Sequence, residues 1–169
     1  MNVMELNALP SERAREALAR CCGATAWVAA MLDARPFAGR DGMFAASERA
    51  GQALQRADWL EAFSHHPRIG DVAALRERFA TTAAWAGEEQ RGAAAASEST
   101  LEALARGNRA YELRFGYIFI VCATGKSAGE MLAMLNERLP NDAAHELAIA
   151  ASEQMKITRL RLERLLEEP

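Results

Sequence analysis

Three stretches of the chain carry residue types that could move a proton or hold an anion. In Ser64-His65-His66-Pro67-Arg68-Ile69-Gly70-Asp71, proline restricts the residue before it to extended backbone, so a helix carrying Trp59, Leu60 and Phe63 should stop at about His66. That puts an imidazole on a fixed corner, with an unperturbed pKa of about 6.5, suited to acid–base work near neutrality. In Ala86-Gly87-Glu88-Glu89-Gln90-Arg91-Gly92, two carboxylates and an amide are consecutive. Successive helical side chains are about 100° apart, so at least one of the three should turn inward or into a cleft. Near the end, Arg159 and Arg161 flank an apolar stripe on opposite sides, and periodicity does not choose which turns inward. Taken singly, each pattern also fits a structural role: a histidine packed at a helix end, a solvated acidic turn, and two arginines snorkelling at a rim.

The elements that must position these groups read as helices. Ser11 is a candidate N-cap for a helix through Ala14 and Leu18 to about Gly23. A second runs from Thr25 to Ala34 and a third from about Met43 to Arg56, with Asp41 ahead of it. Asp58 should cap a short helix that delivers the chain to His66. Gly70 permits a turn and Asp71 a cap, followed by an Ala-rich, helix-compatible stretch with Thr81-Thr82 as an interruption. Ser97 can cap a helix through Leu101, Leu104, Asn108 and Tyr111 to Phe115-Gly116. Tyr117 to Ala123 is aromatic and β-branched, but the chain has no second run of this kind to pair with it. It is expected to be a buried extended segment or buried helix start whose backbone groups need partners, which a ligand could supply. Ser127 with Glu130 forms a capping box. Asn141 should cap the last and longest helix, with Leu147, Ala151, Met155, Thr158, Leu162 and Leu165 as its buried stripe.

Composition narrows the classes. A chain of 169 residues, half apolar, suits one domain spanning 1–169 with its own core. Its richness in Ala, Leu, Glu and Arg favours helix. A net charge of −3 without a basic block argues against nucleic acid as a partner. Cys21, Cys22 and Cys122 form neither a disulfide framework nor a zinc pattern, which fits a reducing cytoplasm. No apolar segment approaches the ~20 residues of a membrane span, the start lacks a leader pattern, and Glu167-Glu168-Pro169 is not a peroxisomal signal. A cytoplasmic protein with no membrane partner is the expectation.

Read in order, Asn7-Ala8-Leu9, Arg35-Pro36-Phe37, His66-Pro67-Arg68-Ile69-Gly70, Glu89-Gln90, Asn108 with Tyr111, Arg114-Phe115-Gly116, Phe119 to Ala123, Lys156-Ile157 and Leu160-Arg161-Leu162 resemble the 2-oxo-4-hydroxy-4-carboxy-5-ureidoimidazoline (OHCU) decarboxylases of uric acid degradation. The resemblance covers nearly the whole chain. It implies an all-α, irregular bundle of about eight to nine helices with a long C-terminal helix, usually a homodimer. It also implies conversion of a small ureidoimidazoline to (S)-allantoin and carbon dioxide with no cofactor and no metal. By that resemblance His66, Glu89 and Arg161 are catalytic, with Arg159 second to Arg161. Pro67, Ala86, Gly87, Glu88, Gln90, Phe119, Ile120, Val121, Cys122 and Ala123 contact substrate. Ala86 stands where the family often has serine, and His65 has no assigned role. Two other classes use the same residues differently: a non-catalytic helical interaction domain, and a cofactor-free hydrolase or isomerase of a related ureido compound.

Overall fold

Apolar residues spaced three and four apart account for most of the architecture. The computed structural model describes residues 1–66, 73, 75 and 98–167. The described residues form eight helices and no strand: α1 Val3–Ala8, α2 Ser11–Ala19, α3 Thr25–Asp33, α4 Arg40–Ala53, α5 Arg56–Ser64, α6 Glu98–Phe115, α7 Ala128–Arg138 and α8 Ala143–Glu167. The all-α expectation and the long last helix both hold. The chain divides into two compact units, residues 1–66 with 151–169, and residues 67–150.

In the first unit Leu6, Leu18, Trp27, Met31, Met43, Phe63 and Leu162 are buried. Two motifs of the N-terminal half turn out to be one clasp. The Asn7 side chain accepts from the Phe37 backbone N–H (2.8 Å) and donates to the Phe37 carbonyl (3.0 Å). Arg35 Nη2 donates to the carbonyls of Asn7 (2.7 Å) and Leu9 (2.6 Å). Helix α3 begins without a side-chain cap of its own. Glu61 of α5 supplies it, accepting from the Thr25 backbone N–H (3.0 Å) and hydroxyl (2.6 Å), which holds the Glu61 carboxyl below its usual range.

The second unit has its own apolar cluster of Leu75, Leu101, Leu104, Ala105, Val121, Ala128, Met131 and Leu135. Gly116 ends α6 with φ +80, the left-handed conformation that costs glycine little. The Ser127–Glu130 capping box opens α7 as expected.

Several boundaries differ from the sequence expectation. Ser11 is the first residue inside α2 and Pro10 occupies the cap position, proline's fixed φ making it a stiff entry; α2 stops at Ala19 rather than near Gly23. Helix α4 starts at Arg40 and stops at Ala53, because Gly39 at φ +93 already turns the chain into the helix. Asp58 sits inside α5 and accepts from the Gln55 N–H at the cap (2.8 Å). Asp142, not Asn141, caps α8, accepting from the N–H groups of Ala144 (3.0 Å) and His145 (2.9 Å). The buried face of α8 is also rotated from the expected stripe. Glu146, Ala150, Glu153, Gln154, Thr158, Leu162 and Leu165 are buried, whereas Leu147, Ala151 and Met155 are half-buried. A count of apolar positions misses this because three of the buried residues outside that stripe, Glu146, Glu153 and Gln154, are polar.

Candidate active site

The corner expected before Pro67 is present. Helix α5 ends at Ser64, and the N–H of His66 closes a turn on the Phe63 carbonyl (3.1 Å). Gly23 packs on the neighbouring imidazole so closely that a Cβ built there would lie 2.5 Å from the His65 ring. The absence of a side chain at position 23 thus lets the His65 side chain approach the backbone there. His65 has a packing role that the sequence left open.

His66 is half-buried, and its Nε2 lies 2.6 Å from Oε1 of Gln154 on α8. Gln154 in turn donates from Nε2 to Thr158 Oγ1 (3.2 Å), one helical turn on. Both residues are fully buried. Thr158 also hydrogen-bonds Cys22, whose thiol is pushed above its usual range chiefly by burial. His66, Gln154, Thr158 and Cys22 therefore form a continuous, uncharged polar track. Burial lowers the His66 pKa, the Gln154 hydrogen bond opposes that shift, and the positive charge of Arg161 and the neighbouring His65 add to the lowering. The net shift favours the neutral imidazole, and the Arg161 guanidinium contributes to it.

The two arginines are clearly distinguished. Arg161 is half-buried, reaches the Cys21 carbonyl at the edge of hydrogen-bond range (3.5 Å) and acts electrostatically on His66. Arg159 is exposed, stacked 4.4 Å from the centre of the Phe44 ring and 3.3 Å from Glu163. It belongs to a surface groove lined by Phe44, Ser47, Glu48, Ser152, Met155 and Lys156, which includes neither His66 nor Arg161.

In the second unit the run from Phe119 to Ala123 forms neither helix nor strand, and Ile120, Val121 and Cys122 are buried. Three of its carbonyls are already engaged by the chain itself: Arg138 Nη1 donates to Ile120 O (2.8 Å), Lys126 Nζ to Cys122 O (2.7 Å) and the Lys126 backbone N–H to Ala123 O (3.1 Å). Those three groups do not wait for a ligand. Arg138 is only 5 % exposed and its guanidinium lies 4.6 Å from the Phe119 ring centre. It pairs with Glu146, 0 % exposed, through Nε (2.8 Å) and Nη2 (2.6 Å). The same carboxylate accepts from the Tyr111 hydroxyl and from Asn141 Nδ2 (2.9 Å). Burial and the bond to Glu146 hold the Tyr111 phenol protonated, well above its usual range.

Pro67, Ala86, Gly87, Glu88, Glu89 and Gln90, like the expected caps Asp71 and Ser97 and the interruption at Thr81-Thr82, lie outside the described residues. Among the described residues, no three His, Cys, Asp or Glu side chains come together in a way that could hold a metal ion, and no helix is long and apolar enough to cross a membrane. Sequence reasoning missed Gln154 and Arg138. The signal for Gln154 was its spacing of four before Thr158 and eight before Leu162, which places an amide on a face otherwise read as apolar.

The described residues form an all-α fold with a half-buried imidazole at the end of α5, and residues 7–163 match the family model of the OHCU decarboxylases, a class of carboxy-lyases. The chain belongs to the OHCU decarboxylase family. It is 38 % identical over 150 residues to the uric acid degradation bifunctional protein TTL of Arabidopsis thaliana, covering 88 % of this chain and 46 % of the plant protein. The chain thus spans less than half of that two-function relative. It is 32 % identical over 144 residues to the 2-oxo-4-hydroxy-4-carboxy-5-ureidoimidazoline decarboxylase of Amia calva, covering 83 % of this chain and 80 % of that one. A crystal structure of OHCU decarboxylase in the presence of (S)-allantoin superposes with a TM-score of 0.71 at 36 % identity, covering 89 % of this chain and 96 % of that one.

Proposed function

We propose that the chain decarboxylates OHCU to (S)-allantoin and carbon dioxide in urate breakdown, with His66 as the group that handles the proton. The observation that carries this reading is the family match across residues 7–163; the neutral, half-buried imidazole at the end of α5 supports the role of His66 within it. In OHCU the departing carboxylate sits on a ring carbon next to a C=N bond, so the substrate accepts the electron pair left by carbon dioxide. The chain has to hold the carboxylate out of the ring plane, stabilise the developing charge and give one proton to one face of the enol-like product. A neutral imidazole can take the substrate hydroxyl proton and return it to carbon, while the ring nitrogen that receives the electron pair takes one further proton from solvent.

Arg161, the guanidinium that bears on His66, would pair with the substrate carboxylate or ring oxygen. Glu89 would bind urea-type N–H groups and, with Gln90, read the ureido group. Pro67, Ala86, Gly87 and Glu88 and the run from Phe119 to Ala123 would complete the walls, residues 1–169 acting as one catalytic domain. A homodimer in the cytoplasm fits the family resemblance and the absence of any disulfide among three buried cysteines.

The test is to generate OHCU in situ from urate and follow optical activity. The protein is expected to accelerate formation of (S)-allantoin, and His66→Asn to lose that acceleration by at least about 100-fold with its helical circular dichroism intact. Racemic allantoin at the uncatalysed rate would overturn the proposal.

A further inference from the structure

The polar track behind His66 has a direction, because each member offers a limited set of protons. The Thr158 hydroxyl has a single proton. Its oxygen accepts from Gln154 Nε2 at 3.2 Å, which leaves that proton for its second partner, Cys22, whose sulfur is a weak acceptor. The Gln154 carbonyl oxygen is left facing His66 Nε2 at 2.6 Å. A carbonyl can only accept, and a neutral imidazole has one N–H.

We infer that Gln154, itself held by Thr158, is a positioning residue that fixes His66 as the Nε2–H tautomer and leaves Nδ1 as the atom that exchanges a proton with substrate. This deepens the reading of His66 as the acid–base group and rests on it. An amide suits the task because it steers the ring without adding a charge. A carboxylate at the same point would stabilise the imidazolium and hold His66 protonated at rest. Among the described residues the other charged or titratable groups bearing on His66 are Arg161 and His65. Both disfavour the imidazolium, so an uncharged partner keeps the base in its neutral form. When Nδ1 takes a proton, the bond from Nε2–H to the amide oxygen strengthens, since a charged donor binds its acceptor more tightly.

The experiment is nitrogen NMR of the folded chain with 15N-labelled histidine, read together with steady-state kinetics. Wild-type His66 is expected to show a protonated Nε2 and an unprotonated Nδ1. Gln154→Leu should mix the tautomers and lower kcat about 10- to 100-fold, as loss of an outer partner does, with KM changed less than about twofold. Gln154→Glu should keep the Nε2–H tautomer and make His66 titrate at higher pH, a change that a packing role would not produce. A wild-type His66 protonated on Nδ1 would overturn the inference, whatever the fate of the variants. So would a folded Gln154→Leu with unchanged tautomer and kcat. The parent reading is separable: a fully active His66→Asn removes acid–base chemistry from His66 altogether. An inactive His66→Asn beside a wild-type Nδ1–H tautomer removes only the role given to Gln154.

Discussion

Two buried polar networks, one in each unit, are built by opposite means. In residues 67–150 the buried cluster is ionic: Arg138 and Glu146 pair inside the unit, with Tyr111 and Asn141 completing the carboxylate's partners. In the unit formed by residues 1–66 and 151–169 the track from His66 through Gln154 and Thr158 to Cys22 carries no formal charge near neutral pH. A buried ion pair is tolerated only when fully satisfied, and it then holds its surroundings in one arrangement. Here it grips the carbonyl of Ile120, inside the run expected to meet substrate. A neutral track leaves room for a proton to arrive and depart. Charge serves to hold a loop still, and neutrality keeps a base ready.

The contrast is broken most severely at Arg138. Arg138→Met should leave the Glu146 carboxylate buried without its partner and destabilise the chain by about 3–5 kcal/mol, seen as a lower urea midpoint. Arg138→Met combined with Glu146→Leu should recover much of that loss, because no buried charge then remains. If the single and double variants are equally unstable, packing rather than charge holds this cluster.

A smaller effect is expected on the uncharged side, at the arginine that faces the track. Arg161→Ala should lower kcat/KM by about 10- to 100-fold, the worth of a hydrogen bond to a charged group. Arg159→Ala should change it less than about threefold, because Arg159 is itself exposed and its ion pairs are screened by solvent. The reverse ranking, measured in the OHCU assay, would transfer the substrate role to Arg159.

The smallest effect is on acid stability. The folded pKa of His66 lies below its unfolded value, so the unfolded chain binds more protons as pH falls through about 6.5. Stability should therefore decline from about pH 6.5 downward, and the decline should level off below the folded pKa. His66→Asn should flatten this part of the curve of urea midpoint against pH. An unchanged curve would mean that His66 is not desolvated in solution.

What the sequence made legible followed from local rules. Proline at 67 marked the end of α5, the Ser127–Glu130 box marked the start of α7, and the aromatic run after Gly116 was read as lacking a strand to pair with. The less legible features depended on partners distant in sequence. Asn7 and Arg35 are conspicuous in their motifs, yet what they bind is backbone some 26 to 30 residues away, and no side-chain pattern reports that. The buried face of α8 was misplaced by about one residue because Glu146, Glu153 and Gln154 interrupt the apolar count. Each is buried on account of what it bonds to rather than its hydrophobicity. The carboxylate–amide pair Glu89-Gln90 lies outside the described residues, so its part of the site rests on the family resemblance.

The side chain of Asn7 imitates a peptide group, offering one acceptor and one donor to Phe37 as a neighbouring strand would. That mimicry depends on the amide nitrogen. Were it hydrolysed to a carboxylate, nothing about the shape of residue 7 would change. A negative oxygen would nevertheless face the Phe37 carbonyl, and attraction at that point of the clasp would become repulsion. A single slow chemical event, without any mutation, would therefore loosen the hold of the start of the chain on the turn after α3.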